Sequence, residues 1–465
     1  MSFKKKFIGD KAFYKMLFIL VIPLIIQQGV TSFVSLLDNI MVGSLGTEQM
    51  SSVAVVNQLI FVFNLTIFGG ISGVSIFGAQ YAGVGDDKGL RHTFRAKMIF
   101  GVVASAIAIA ILFFFGDSLS MLFMDNEANA DLDLSVLLKY AREYLNIMLL
   151  GLVPFMVVQV YSSTLREMGD TFVPMVASVV AIVVNLVFNY LLIFGKGGFP
   201  RLEIEGAAIA TVLSRYVEMI VVVAYTHIKK SKFTFIKGAY RSLFVPGELI
   251  KKIIITGSPL LINEVLWSLG FTYINGCYST KGLFAYAAIN INTTAWNLFC
   301  IIMFAMGSAI SIIVGRELGK GDIKNAIDLD TKLLFFNFAI HIVIGILLIA
   351  SSSFIPMLYN VEDEVRAIAT ELLIISGITL PMHALVHAIY FTVRSGGRTI
   401  ITFLFDSAYT WAVPAMIALA LCTFTNLSIV PIYLIVQVSD AFKLTIGLLM
   451  LKSGSWANTI ISTDK

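Results

Sequence analysis

Twelve apolar runs of membrane length constrain this chain more than any other feature. A window of about 20 apolar residues is enough to cross a bilayer as a helix. Such windows fall roughly at 16–42, 52–82, 93–116, 136–161, 171–195, 206–227, 252–279, 284–314, 332–357, 366–392, 400–421 and 428–451. Hydrophobic residues make up 58% of the 465 and charged residues only 13%, and the mean hydropathy is +0.87. A soluble domain has no use for that much apolar surface, so the expected fold class is an all-α polytopic membrane protein of twelve transmembrane helices. The net charge of +4 gives no indication of a nucleic-acid partner, because the basic residues lie between the apolar runs.

The loops give an orientation. Lys4, Lys5, Lys6, Lys11 and Lys15 precede span 1, and Lys88, Arg91, Arg95 and Lys97 follow span 2. Arg166 follows span 4, the stretch from Lys229 to Lys252 follows span 6, Arg316, Lys320 and Lys324 follow span 8, and Arg394 and Arg398 follow span 10. The alternate loops are poor in Lys and Arg, and the one after span 3 carries Asp117, Asp125, Glu127, Asp131 and Asp133. By the positive-inside rule both termini are expected on the cytoplasmic side. The lysines at the start precede a run that is long, holds Pro23 and Asp38 and lacks a small-residue cleavage site, so it reads as a retained first span.

The two halves repeat. At a shift of 236, Pro23 meets Pro259, Gln28 meets Glu264, Ser32 meets Ser268, Asn39 meets Asn275, and Gly83, Gly85 and Asp86 meet Gly319, Gly321 and Asp322. Later the shift is 228, and Glu143 meets Glu371, Gln159 meets His387, Arg166 meets Arg394, Gly169 meets Gly397 and Thr171 meets Thr399. Repeats of six helices each point the same way through the membrane, which implies a pseudo-twofold axis along its normal and a central cleft. The expected domains are 1–227 and 252–465, with a cytoplasmic linker at 228–251. Rocking one bundle against the other would open the cleft to either side in turn.

Few residues in the spans carry chemistry. Gln27, Thr31, Ser35 and Asp38 share one face of span 1. A carboxylate inside a bilayer costs about 2.5–3.5 kcal/mol on insertion scales and normally faces protein or a wet cavity. Asp38 therefore reads as an ion-coupling group, with a structural contact between helices as the bland alternative. Glu264, Ser268, Thr272 and Asn275 repeat that spacing on span 7. Asn185 and Asn189 share a face of span 5, and span 6 holds Thr211 and Ser214. One carboxylate with amide and hydroxyl oxygens suits a hard cation such as Na⁺, or a protonatable pocket. Asn57, Asn64, Asn290, Thr293 and Asn297 add polar faces on spans 2 and 8. His383 and His387 lie four apart on span 10. Arg215, Glu218, Asp406, Asp440 and Lys443 read as span-end groups that snorkel or form ion pairs.

Other classes find little support. No GxxxxGK[ST] motif is present, so direct drive by ATP is not expected. Gly83-Val-Gly85-Asp86-Asp87 reads as a tight turn. Cys277, Cys300 and Cys422 have no metal spacing or pairing pattern. An intramembrane enzyme would need clustered catalytic groups, whereas the acids here are dispersed. A channel would show symmetry about a pore.

The stretches PLIIQQGVTSFVSLLDNIMVGSLG, GAQYAGVGDD and LREMGDT, in a chain with two six-helix repeats, resemble the multidrug and toxic compound extrusion (MATE) transporters, in particular the NorM-like branch. The resemblance covers almost the whole chain. It implies a non-enzymatic antiporter of the inner membrane that exports amphiphilic, often cationic compounds against an inward flow of Na⁺ or H⁺. It also implies no cofactor beyond that ion. Asp38 then falls on the coupling acid, and Asn185, Asn189 and Thr211 fall on its companions around the ion. Some members carry a second acid where Asn189 stands. Glu264 matches the acid of span 7, while the Asp expected on span 10 is Ala384. Gln27, Gln28, Asn57, Asn290, Asn297, His383 and His387 are the expected polar residues of the substrate cleft, and the protein is expected to act as a monomer. The nearest alternative is a flippase for lipid-linked saccharides. Such proteins carry fourteen spans and a cationic cavity, and the acids within these spans argue against one.

Overall fold

The computed structural model describes residues 6–124 and 134–461, with the side chains of Leu36, Phe123 and Met124 excepted. Lys4, Lys5, Asp125, Glu127, Asp131 and Asp133, used above for orientation, lie outside the described residues. Within these limits the chain is helical and has no strand. Eleven helices are long and apolar enough to cross a membrane, and one bent pair makes twelve. That matches the number of apolar windows, because in hydrocarbon each segment must satisfy its own backbone.

The spans are α1 (Lys11–Gly43), α2 (Thr47–Val84) and α3 (Asp87–Met124). Next comes α4, a pair of segments (Leu134–Leu149 and Leu152–Glu167) bent by 45°. They are followed by α5 (Phe172–Phe194), α6 (Glu203–Ile228) and α7 (Gly247–Ser279). Then come α8, in two segments (Leu283–Phe299 and Ile301–Gly319), α9 (Ile323–Ser351) and α10 (Asp363–Ser395). The last two are α11 (Thr399–Phe424) and α12 (Ile429–Ser453). A π-helical turn over Leu404–Ala408 interrupts α11. Several helices begin or end outside the apolar windows. Arg91, Arg95 and Lys97 sit on α3, Arg166 near the end of α4 and Arg394 near the end of α10, all of which were counted above with the basic residues between spans. Polar residues in an end turn lower the window mean while the backbone remains helical.

The repeat is visible in the turns. Gly85 and Gly321 both have φ of +79°, and Gly169 and Gly397 have φ of +85° and +75°, a region open to glycine at little cost. Asp86 Oδ1 accepts from the backbone N–H of Lys88 and Gly89, and Asp322 Oδ1 accepts from that of Asn325. Each caps the helix that follows.

By contacts the chain divides into two compact units. The first comprises Ile22–Gly78 and Asp86–Lys252, and the second Met1–Val21, Ala79–Gly85 and Ile253–Lys465. In the first, α5 packs along α6, and α4 packs on α3 and α6. The connector after α6 belongs to this unit. Arg95 donates to the carbonyls of Gly238 (2.8 Å), Ala239 (2.8 Å) and Phe244 (3.1 Å), Arg91 donates to Phe235 O (3.0 Å), and Phe233 and Phe235 are fully buried. In the second unit α10 is the hub, packed against α8, α9 and α12. Its crossing with α9 is close, because a Cβ on Gly345 would lie 2.4 Å from Gly377 O.

Candidate functional site

The first unit brings Asp38, Asn185, Asn189 and Thr211 together. Asn189 Nδ2 donates to Asp38 Oδ1 (2.6 Å) and to Asn185 Oδ1 (3.1 Å), and Asn185 Nδ2 donates to Thr211 Oγ1 (3.3 Å). The Asn185 amide is better satisfied when turned over, and its nitrogen then reaches both Asp38 oxygens, at 3.0 and 3.2 Å. The two asparagines are buried and four apart on α5, so they present both amides to α1. Asn189 Oδ1 is buried and has no donor among the described residues. An acceptor left unpaired at this depth is a cost that a cation or a donor would remove. The guanidinium of Arg215 lies within electrostatic reach of Asp38.

Beside this cluster runs a second chain of polar contacts. Arg166 donates to Gln27 Oε1 (2.8 Å), Gln27 Nε2 donates to Ser178 Oγ (2.6 Å), and Ser178 Oγ donates to Glu218 Oε1 (2.6 Å). Glu218 is also paired with Arg215 at 3.2 Å. Gln27 is therefore held in a network rather than standing free. Arg215 and Glu218 are mid-helix, not at a span end, and Glu218 is only 5% exposed. A fully buried ion pair, Lys97 with Glu167, ties α3 to α4, and Lys97 Nζ also donates to Ser163 and Thr164 (both 3.2 Å).

In the second unit Glu264 accepts from Tyr390 Oη (3.3 Å), and its neighbour Asn263 carries more of the network. Asn263 Nδ2 donates to Tyr390 Oη (3.3 Å) and Asp406 Oδ2 (3.0 Å), and Ser407 Oγ donates to both Asn263 oxygens (2.7 Å). Lys443 pairs with Asp406 at 2.8 Å, and Arg394 acts on Glu264 electrostatically. Asp406 lies on the π turn, and Lys443 and Asp440 are mid-helix, so the span-end reading fails for them too. Ion pairing is what holds them. Windowed hydropathy hid all five charges, since each sits in a strongly apolar stretch.

The other expected cleft residues differ in burial and partners. Gln28, Asn57, Asn290 and Asn297 are exposed. Asn57 Oδ1 accepts from the Tyr144 hydroxyl, at 3.5 Å. His383 pairs with Asp440 at 3.1 Å, while His387 meets Phe304 edge-on and Phe391 at a tilt. Ser178, Asn263, Tyr390 and Asp330 were missed. Asp330 is 3% exposed and accepts from Thr392 (2.6 Å). The repeat itself carried the missing signal: at the shifts already found, Gln27 meets Asn263, Ser178 meets Asp406 and Arg215 meets Lys443. Each unit bonds the corresponding residues to one another or through one neighbour.

Comparison with known proteins agrees with this architecture. A family model described as MatE matches the chain twice, over residues 23–191 and 259–417. A probable multidrug resistance protein NorM of Thermotoga maritima is 24% identical, with 92% of this chain and 89% of that protein covered. A probable multidrug resistance protein YoeA of Bacillus subtilis is 25% identical, with coverage of 89% and 88%. A crystal structure of MATE in the bent conformation superposes with a TM-score of 0.85 at 18% identity, covering 96% of this chain and 95% of that one. With two matches that together span most of its length, the chain belongs to the MatE family, whose members are membrane transporters and not enzymes.

Proposed function

We propose that this transporter exports amphiphilic, often cationic small molecules in exchange for an inward-moving Na⁺ or H⁺ bound at Asp38. The reading rests above all on the cluster of the half-buried Asp38 and Thr211 with the buried Asn185 and Asn189 in the first unit. The names of its relatives, which describe multidrug resistance, support the substrate class.

The chemistry follows from the amides. A bare Asp38 carboxylate is held by the N–H groups of Asn189 and, turned over, of Asn185. An amide presents a donor at one end and an acceptor at the other. A half-turn of either side chain replaces N–H with C=O, so that one carboxylate and up to three neutral oxygens face a hard cation. Adding a proton to Asp38 also removes the need for the donors. Cation binding exchanges the 2.6 Å contact between α1 and α5 for metal ligation, and protonation weakens it by removing the charge from the acceptor. Pro23 lies inside α1 and removes one backbone hydrogen bond a few turns away, giving the helix a place to bend. We infer that loading at Asp38 repacks α1 against α5 and α6. The protein would then alternate access, with the two six-helix repeats as the moving bodies and both termini on the cytoplasmic side of the inner membrane.

The test is accumulation of a cationic dye such as ethidium in a drug-sensitive host, with Na⁺ varied at fixed pH. Wild type should lower accumulation, and Asp38→Asn, expressed at the same level, should not. Full efflux by Asp38→Asn would overturn the assignment. Dependence on Na⁺ at constant pH identifies the ion as Na⁺, and its absence identifies H⁺.

A further inference from the structure

The connector between α6 and α7 carries charge that its ion pairs do not balance. From Met219 to Gly247 the chain has five cations, Lys229, Lys230, Lys232, Lys237 and Arg241, and no acid. All five are exposed. Among the described residues only Lys232 of these is in an ion pair, with Asp170 at 2.5 Å. The basic side chains of α3 beside the connector are spent elsewhere, since Arg91 and Arg95 are turned onto its backbone carbonyls.

The same stretch exposes large apolar side chains. Leu243 is 72% and Phe244 65% exposed. A slack segment could fold them away, but this one is pinned. Phe233, Phe235, Ile236 and Val245 are buried, and two short turns, Thr234–Ile236 and Ala239–Arg241, shape the backbone. Arg95 holds the carbonyls of Gly238, Ala239 and Phe244, and His92 Nδ1 lies 3.2 Å from Phe244 O. The Tyr240 hydroxyl is bonded to that of Tyr161, and its ring stacks on His227 with centroids 6.0 Å apart. With the inner side chains and the backbone fixed, Leu243 and Phe244 stay outside, beside Arg241. The helices before and after the connector are both spans, so it starts and finishes at a bilayer surface. Aromatic and basic side chains are favoured at that boundary.

We propose that the connector is a binding site for anionic lipid headgroups of the leaflet it borders. Lys229, Lys230, Lys237 and Arg241 meet the headgroup phosphates, and Leu243 and Phe244 sit among the upper acyl chains. Charge complementarity selects this occupant. A zwitterionic headgroup brings a cation with its phosphate, whereas a phosphatidylglycerol headgroup brings the phosphate alone. Each Lys or Arg near an anionic surface strengthens attachment by about fivefold, and the planar guanidinium of Arg241 matches a phosphate in two-point fashion. That the leaflet is the cytoplasmic one rests on the orientation proposed above. The binding itself does not.

The test needs no transport, so its failure leaves the reading of Asp38 untouched. Phe244→Trp places an indole at the site, and its emission is the difference from the wild-type chain. The full chain is reconstituted in phosphatidylcholine vesicles holding a small fraction of lipid brominated on its acyl chains, which quenches an indole on contact. Brominated phosphatidylcholine should quench the added indole, showing that the position reaches the acyl chains. Brominated phosphatidylglycerol at the same fraction should quench it several-fold more, and the excess should shrink as NaCl is raised. Replacing Lys229, Lys230, Lys237 and Arg241 together by Gln should remove the excess and keep the quenching by brominated phosphatidylcholine. Where that variant does not fold, Arg241→Gln alone should reduce the preference by about fivefold. No quenching by either lipid, equal quenching by both, or an excess that survives these substitutions would each overturn the proposal. So would loss of the excess to inorganic phosphate at constant ionic strength, which would make a free anion the occupant.

Discussion

The buried pair Lys97–Glu167 allows the energetics of this fold to be tested quantitatively. Their side chains are 0% and 3% exposed, so neither ion can recover hydration if the other is removed. Removing one partner of such a pair typically costs about 3–5 kcal/mol, whereas replacing both by apolar residues of similar volume is often neutral. Lys97→Met and Glu167→Leu should therefore each destabilise the protein by about 3–5 kcal/mol. The double variant should fall within about 1 kcal/mol of wild type, an interaction energy far outside the additivity expected of independent sites. The hydroxyls of Ser163 and Thr164 tolerate the loss of the ammonium, because each already donates to Val160 O. Gly78 adds a steric test. A Cβ there would lie 2.0 Å from Glu167 Oε2, so Gly78→Ala should push the carboxylate off Lys97 and cost about 1–3 kcal/mol. The assay is equilibrium unfolding in mixed micelles titrated with SDS. A double variant as unstable as the two single variants combined would refute the argument, since the charges would then be contributing independently.

The remaining predictions concern the second unit. Glu264→Gln keeps the hydrogen bond from Tyr390 but removes a charge, and should weaken dye efflux in the ethidium assay. Unchanged efflux would reduce Glu264 to a packing residue. Gly345→Ala places a Cβ 2.4 Å from Gly377 O at the α9–α10 crossing. Small residues let membrane helices approach this closely, so the variant should lose about 1–3 kcal/mol, read as a lower melting temperature in detergent. An unchanged melting temperature would show that the crossing has slack.

How much was legible in the sequence differs from residue to residue. The 4, 4 and 3 spacing from Gln27 to Asp38 placed an acid on a polar face of α1, and the spacing of Asn185 and Asn189 gave them a common face on α5. Helical periodicity alone fixes such relations. Periodicity could not say that the faces of α1, α5 and α6 meet, nor that Gln27 is occupied by Arg166 and Ser178. The charged groups Glu218, Asp406 and Lys443 were discounted because a hydropathy average treats a charge as a penalty and cannot see its partner. Residues such as Asn263 and Tyr390 were passed over because each is unremarkable alone and gains meaning only from neighbours more than a hundred positions away.

By itself, the sequence determined that the chain crosses a membrane twelve times and is built from a duplicated six-helix unit, since the bilayer dictates segment length and a repeat shows as register. Only the tertiary structure decided which buried charges have partners. Pairing depends on contacts between helices far apart in the chain, and those contacts set whether a carboxylate such as Asp38 is held by amide donors or one such as Asp440 is met by an imidazole.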